Sequence, residues 1–358
     1  MPTATATRRL LSSRVVDLLL GPHGVDRYLE LIRPDLTVSD ARAEVVGVRR
    51  QTARSATVTL RANHAWRGFA SGQFVRVGVE IDGVRRTRTY SPAGSEHGDR
   101  RSLELTITEH PGGLVSPYIR EALRPGTILH LADAAGTFTL PRQRPENLLL
   151  ISGGSGITPV ISMLRTLCDE GHDGQVRFVH YSRTAADALY RAEAEALVAR
   201  HESLTVRYVA TREGGSHIGS ADLDGLDGAT AYLCGPPSLT EGVEALWAAR
   251  GWPDELLNAE TFTPPVLSLG AGGKAEGTLE FLRSGASAPI AGGTLLEQAE
   301  AAGLEPEFGC RMGICHTCTC RKRAGAVRNL LTGEISDEEH EDIQLCISVP
   351  AGTVALDI

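Results

Sequence analysis

Residues 147–171 read NLLLISGGSGITPVISMLRTLCDEG. An apolar run too short for a helix, Leu148 to Ile151, meets a glycine-rich turn, Gly153-Gly154-Ser155-Gly156, and then Ile157-Thr158-Pro159 opens a helical pattern that Gly171 ends. Strand, glycine turn and helix in this order aim backbone amides and the helix dipole at one point, which suits a dinucleotide pyrophosphate. The spacing is not G-x-G-x-x-G, so the neighbouring sequence has to support the reading.

Downstream, the strand-like QVRFVHYS (175–182), the helix-like DALYRAEAEALVARH (187–201), the strand-like LTVRYVATR (204–212) and TAYLC (230–234) alternate as βαβ units do, which predicts a parallel sheet. Upstream, SATVTLRA (55–62), GQFVRVGVEI (72–81) and SLELTITE (102–109) alternate with period two between Gly, Pro and Asn breaks, which predicts a small antiparallel barrel. The chain divides on this basis into a helical extension (1–42), a β-barrel (43–143), an α/β domain (144–263), a Pro- and Gly-rich linker PPVLSLGAGGK (264–274) and a final α+β domain (275–358). In the extension, Leu10, Leu11, Val15, Leu18 and Leu19 recur at helical spacing before Gly21-Pro22, as expected of a helix packed on the body or docked at a membrane surface.

With 358 residues, 42% hydrophobic and 22% charged, the chain has the composition of a multidomain globular protein. A net charge of −8 argues against nucleic-acid binding, which needs clustered Lys and Arg. The apolar N-terminal stretch is interrupted by Arg14 and Asp17 and no small-residue cleavage site follows, so a cytoplasmic protein is expected.

Four of the seven cysteines lie between Cys310 and Cys320, a clustering that suits a metal site in a reducing compartment better than a disulfide framework. Cys310, Cys315, Cys318 and the distant Cys346 give C-x4-C-x2-C…C, the spacing of a plant-type [2Fe-2S] centre. A four-cysteine zinc site would pair two C-x2-C knuckles, and only Cys315/Cys318 forms one. Gly309 and Gly313 supply tight turns around the thiolates. Cys320 and Cys168 read as packing residues.

Two further motifs lie in the barrel. RTRTYSPAG (86–94) contains Arg88-Thr89-Tyr90-Ser91, which offers a guanidinium for a phosphate, a ring to lie on a planar cofactor and a hydroxyl for a ring nitrogen. Gly113-Leu114-Val115-Ser116 precedes the helix-like SPYIREAL, as an anion-binding turn or as a plain loop with Ser116 as cap. In the α/β domain, Cys234-Gly235-Pro236-Pro237 ends an apolar strand.

In this order R-x-Y-S, G-x-x-S, GGSGITP and CGPP resemble the ferredoxin-NADP reductase superfamily over about residues 43–262, and FGCRMGICHTCTC with DIQLCISVP resembles plant-type ferredoxin domains of β-grasp fold. The resemblance implies FAD on Arg88, Tyr90 and Ser91, with its pyrophosphate at Gly113, Leu114, Val115 and Ser116. It implies a nicotinamide dinucleotide on Gly153, Gly154, Ser155, Gly156, Thr158 and Pro159. Cys234, with Gly235 and Pro236 beside it, is implied to bound the nicotinamide pocket, so Ser91 and Cys234 are the residues expected at the reacting rings. Glu260 and Phe262 loosely match a terminal acidic-aromatic pattern.

No Asp or Glu ends the strand at 175–182; Ser182 and Arg183 stand there, with Arg191 beyond, which leans toward NADPH over NADH. The domain order resembles reductase components of oxygenases and desaturases, and the extension resembles actinobacterial reductases that serve membrane acyl-CoA desaturases. That implies an oxygenase or acyl-CoA desaturase as electron acceptor, with peripheral association at the inner face of the membrane. A diaphorase-like reductase of small acceptors and a redox-sensing cluster protein are the alternative readings.

Overall fold

The computed structural model describes residues 37, 40–81, 83–110, 113–262, 277–309, 313 and 316–358. The expected N-terminal helices, the linker at 264–274, and Cys310 and Cys315 lie outside the described residues. The chain divides into two compact units, the first reaching Phe262 and the second following it in sequence.

In the first unit, strands β1 (Arg42–Arg50), β2 (Ser55–Ala62), β3 (Val75–Ile81), β4 (Val84–Tyr90), β5 (Ser102–Thr108) and β6 (Ile128–Leu131) form one antiparallel sheet in the order β4-β3-β6-β1-β2-β5. An isolated bridge between Pro92 and Leu105 joins the edges and curls the sheet toward a barrel. The period-two pattern sends Val45, Val58, Leu60, Val75, Val77, Leu103 and Leu105 inward, where helix α1 (Val115–Glu121) adds Val115 and Ile119 to the same core. At about 25 cal/mol per Å² of apolar surface this burial is the main force closing the sheet.

The second half of this unit is a parallel sheet of β7 (Asn147–Gly153), β8 (Gln175–Ser182), β9 (Leu204–Ala210), β10 (Thr230–Gly235) and β11 (Leu257–Thr261), ordered β11-β10-β7-β8-β9. Helices α2 (Ile157–Glu170), α3 (Arg191–Val198) and α4 (Pro237–Ala249) connect the strands. Two apolar clusters lie on opposite faces, one built on Leu148, Leu150 and Phe178 with α2, the other on Leu149, Ile151 and Leu233 with Val243 and Trp247 of α4. Successive strands are added on one side of β7 as far as β9 and then on the other as β10, so the topological switch lies between β7 and β10. Ligands of open α/β sheets bind beyond the strand ends at such a switch.

The expected long helix at 187–201 is shortened, because Tyr190 is left-handed (φ 57°) and α3 begins only at Arg191. Its ring is buried against the α2 side of the sheet, and that anchoring overrides local helix propensity.

The second unit contains β12 (Thr278–Phe281), β13 (Ala286–Pro289), helix α5 (Leu295–Ala301), β14 (Thr319–Ala324), β15 (Val327–Asn329), β16 (Ile335–Ser336), β17 (Glu341–Gln344), β18 (Ser348–Pro350) and β19 (Val354–Leu356). A five-stranded sheet, β13-β12-β19-β14-β17, and a three-stranded one, β16-β15-β18, give the expected α+β architecture. A capping box starts α5, with Thr294 Oγ1 accepting from Glu297 N–H (3.2 Å) and the Glu297 carboxylate accepting from Thr294 N–H (2.8 Å). Leu295, Leu296 and Ala299 then pack on Leu279, Phe281 and Leu356.

Candidate functional site

At the switch point the two glycine motifs are pressed together. A Cβ on Gly156 would lie 2.2 Å from the Cys234 carbonyl oxygen, and one on Gly153 2.7 Å from Pro236 Cδ. Gly154 takes a left-handed turn (φ 55°), Thr158 Oγ1 donates to Ser155 O (3.2 Å), and Pro159 fits the first turn of α2, where its missing N–H costs nothing. The result is a backbone cradle between β7 and β10 that side chains would fill.

A polar row crosses the sheet beside this cradle. Glu260, Cys234, Ser152 and His180 occupy in-register positions on β11, β10, β7 and β8. Ser152 Oγ and His180 Nδ1 are 2.9 Å apart, and burial lowers the imidazole pKa to about 3, so the ring is neutral. Burial pushes the Cys234 thiol up, with Glu260 adding to the effect, and raises Glu260 to about 7. Glu260 Oε2 and His180 Nε2 are buried without a hydrogen-bond partner.

On the barrel, Arg88 and Tyr90 share one face of edge strand β4, opposite Val77 and Val75 of β3. Arg88 Nη1 donates to Thr87 O (2.8 Å), and burial raises the phenol pKa of Tyr90. Thr89 Oγ1 and Ser91 Oγ are buried and unpartnered, an arrangement that costs free energy unless a polar group arrives from outside the chain. Gly113 and Ser116 lie at the start of α1; Leu114, and not Ser116, occupies the cap position, while Ser116 Oγ accepts from His110 N–H (3.0 Å). Val115 is committed to the barrel core and Leu114 is exposed.

The segment after Ser91 docks on α2. Ser162 Oγ donates to Gly94 O (2.6 Å), Arg165 Nη1 to Ala93 O (2.7 Å), and Glu96 N–H to Thr166 Oγ1 (3.1 Å). Arg144 bridges Glu96 (2.8 Å) and Glu170 (2.5 Å), and His97 also reaches Glu170 (2.7 Å). Ala93, Ile157 and Cys234 therefore belong to one apolar cluster, and the R-x-Y-S and CGPP motifs are held to the same helix.

In the second unit, Cys318 and Cys346 are buried, with the Cys346 N–H directed at Cys318 Sγ (3.4 Å). Backbone N–H to sulfur bonds of this kind tune Fe–S potentials. Gly313 (φ 78°) lies so close to Ile347 and Leu331 that a Cβ would approach within 2.8 Å, and Gln344 Nε2 donates to Gly313 O (2.7 Å). Residues 28 apart in sequence are thus drawn to one sulfur-lined loop.

Three domain families match in sequence order: the oxidoreductase FAD-binding domain (45–140), the oxidoreductase NAD-binding domain (150–245) and the 2Fe-2S iron-sulfur cluster binding domain (282–351). The chain is 36% identical to an NADPH oxidoreductase of Mycobacterium tuberculosis over 98% of this chain and 92% of the relative. It is 31% identical to the glycine betaine monooxygenase reductase subunit of Pseudomonas aeruginosa over 81% of this chain and 87% of the relative. The solved phthalate dioxygenase reductase, at 21% identity, covers 88% of this chain and 97% of its own with a TM-score of 0.64, a likeness of fold.

The chain belongs to the ferredoxin-NADP reductase-like oxidoreductases that carry a C-terminal [2Fe-2S] domain.

As a member of this family it is an oxidoreductase with FAD-binding, NAD-binding and [2Fe-2S] domains. The orphaned hydroxyls of Thr89 and Ser91 and the side-chain-free cradle at Gly153 and Gly156 fit a flavin and a dinucleotide, and the paired thiols of Cys318 and Cys346 fit the cluster.

The candidate residues for the ribose end are less uniform. Ser182 Oγ donates to Thr184 O (2.8 Å), and Arg191 is paired with Glu195 (2.8 Å) over the Tyr208 ring, whereas Arg183 is exposed at the end of β8. Phe262 packs on the cluster that contains Cys234. Ser152 and His180 went unread in the sequence, although a His inside an otherwise apolar central strand was an available signal. Among the described residues no helix is long and apolar enough to cross a membrane.

Proposed function

We propose that this reductase draws electrons from NADPH and delivers them singly to a terminal oxygenase, an acyl-CoA desaturase being the acceptor favoured by the likeness of its N-terminal segment. The observation that carries the reading is the presence, in one chain, of a dinucleotide cradle (Gly156 against Cys234) and a sulfur-lined loop (Cys318 with Cys346). A nicotinamide gives up two electrons together and a [2Fe-2S] centre carries one, so the flavin's chemistry is to take the pair and release it stepwise.

The chain's own residues position and insulate. Arg88 and the turn at Gly113 to Ser116 would hold FAD phosphates, Tyr90 would lie on the flavin ring and Ser91 Oγ would donate to a ring nitrogen. Gly153 to Gly156, Thr158 and Pro159 would receive the dinucleotide. Cys234, flanked by Gly235 and Pro236, would bound the nicotinamide pocket with Phe262 as its apolar wall. Glu260, near its midpoint at neutral pH, is placed to hold a proton at its unpartnered Oε2. Cys310, Cys315, Cys318 and Cys346 would ligate the cluster. A preference for NADPH accords with the name borne by the Mycobacterium tuberculosis relative. A place at the inner face of the membrane would follow from a membrane-bound acceptor.

Anaerobic titration with NADPH and with NADH, followed by visible absorbance and EPR, tests the electron path; flavin bleaching followed by a rhombic reduced-cluster signal is expected. A protein that isolates with zinc and no flavin would defeat it. Reconstitution with candidate acceptors tests the partner, and product formation with a soluble Rieske component but none with a membrane desaturase would remove the desaturase.

A further inference from the structure

We infer that Arg165, seated on the ring of Tyr190, is a positioning residue that sets the flavin loop against the coenzyme cradle; this rests on the reading above that puts the flavin at Ser91 and the nicotinamide at Cys234. Helix α2 carries both ends of the measure. Gly156 caps it at the cradle, and Arg165 lies about 13 Å further along the axis. From there its Nη1 donates to Ala93 O (2.7 Å), while Ala93 N–H donates to Glu104 O of β5 (2.8 Å). Both main-chain polar groups of Ala93 are therefore fixed, just past Ser91, whose buried hydroxyl has no partner within the chain.

The guanidinium has no slack. Its Nε and Nη2 hold the two carboxylate oxygens of Glu193 on α3 (2.6 and 2.7 Å), and Nη1 also reaches Glu104 Oε1 (3.2 Å). One planar fork thus ties strand β5, the loop after Ser91 and helix α3 to α2. The Tyr190 ring lies against it, with Arg165 Cζ 5.1 Å from the ring centroid. Tyr190 is the residue whose left-handed backbone (φ 57°) delays the start of α3, a conformation that a bulky side chain adopts only where its surroundings demand it. The demand comes from the barrel. The buried Tyr190 hydroxyl is hydrogen-bonded to Thr106 Oγ1 of β5, which lies 2.6 Å from Thr57 Oγ1 of β2. An ion pair that merely held the two halves together would need neither the strained turn nor the buried chain of hydroxyls. Transfer between two bound rings is far more demanding, since a misplacement of about 1 Å costs up to about a hundredfold in rate.

The test compares the natural holoprotein with Arg165→Lys, Arg165→Met and Tyr190→Phe, and with Arg250→Gln as a control that breaks an ion pair to Asp224 in the same half. Three quantities are read well below the melting temperature: the rate of flavin reduction at saturating NADPH, the long-wavelength charge-transfer absorbance of the nicotinamide–flavin complex, and the dissociation constant of NADP+. Both Arg165 variants are expected to reduce flavin about tenfold more slowly and to lose most of the charge-transfer absorbance, while NADP+ binds within about twofold of the natural chain because the cradle is untouched. Tyr190→Phe keeps the ring and loses only the tie to Thr106, so it should fall between. Arg250→Gln should match the natural chain. An unchanged rate and charge-transfer band in both Arg165 variants, with only a lower melting temperature, would make the residue a brace of the fold and overturn the inference. A slower rate matched by an equal loss of NADP+ affinity would overturn it as well, by placing the damage in the cradle. If neither NADPH nor NADH reduces the flavin of the natural chain, the electron path proposed above falls, and the inference with it.

Discussion

Gly156 and Cys234 meet at the switch point so closely that a methyl group on Gly156 would stand 2.2 Å from the Cys234 carbonyl oxygen. Nothing at that site can yield cheaply, because the obstacle is the backbone of a buried strand. Gly156→Ala should therefore move β10 away from α2 and open the cradle. We expect the rate of flavin reduction by NADPH, read by anaerobic stopped flow, to fall at least tenfold while the resting flavin and cluster spectra stay unchanged. Wild-type kinetics in that variant would mean the turn has slack that the structure does not display.

The Arg144 bridge has a pH signature. Its hydrogen bond, with a smaller contribution from His97, holds the Glu170 carboxyl down to about 2 against an ordinary value of 4.5. A carboxylate depressed by folding stabilises fully above its unfolded pKa and loses that contribution as pH falls through its folded one. Arg144→Ala should cost about 1–2 kcal/mol at pH 7, with the difference from the natural chain shrinking between about pH 4.5 and pH 2. All three tryptophans, Trp66, Trp247 and Trp252, lie in the first unit, so urea unfolding followed by their fluorescence reports this unit alone. A pH-independent difference would exclude the carboxylate as the source.

Glu260 works in the opposite sense. Burial raises its folded pKa to about 7, so the folded state holds a proton that the unfolded chain releases from about pH 4.5 upward. The resulting penalty grows across that interval and is complete above pH 7. Glu260→Gln removes the ionisation and keeps the shape; its melting temperature should exceed that of the natural chain at pH 8.5 and converge with it near pH 5. An advantage of equal size at both pH values would contradict the assignment.

Lys322 is fully buried, with Nζ donating to Gly325 O (2.9 Å) and Ser336 O (3.1 Å) and lying 3.3 Å from Glu341 Oε2. This ammonium fastens β14 to β16 and to β17, the strand that leads into Cys346. Lys322→Met strands two carbonyls and a carboxylate, at a cost of about 3 kcal/mol. Bleaching of the cluster absorbance on warming should begin at lower temperature, while tryptophan-monitored unfolding of the first unit does not move. Unaltered bleaching would show the staple to be redundant.

Much of this was legible because local pattern and tertiary role agree. QVRFVHYS and SATVTLRA form strands over their quoted residues, and the helix read from 157 ends at Gly171, which adopts the left-handed cap. Agreement fails where distant parts decide. Tyr190 breaks a helix-like segment because its hydroxyl meets Thr106 of the barrel, some 84 positions away. Arg191 is claimed by Glu195, a partnership that sequence spacing permits but does not require. Lys322 sits in an alternating strand where a lysine ordinarily faces water, and only the fold reveals that it faces inward. The Glu96–Arg144–Glu170 bridge joins three segments with no common motif, so no local signal announces it.

The way the loop after Ser91 is stitched to α2 bears on how such enzymes can be recombined. Gly94, Glu96 and His97 come from the barrel half, and Ser162, Thr166 and Glu170 from the nucleotide half. A chimaera cut between the halves would pair a loop from one ancestor with a helix from another and forfeit that whole set of bonds. The block that can be shuffled intact therefore runs through both halves to Phe262.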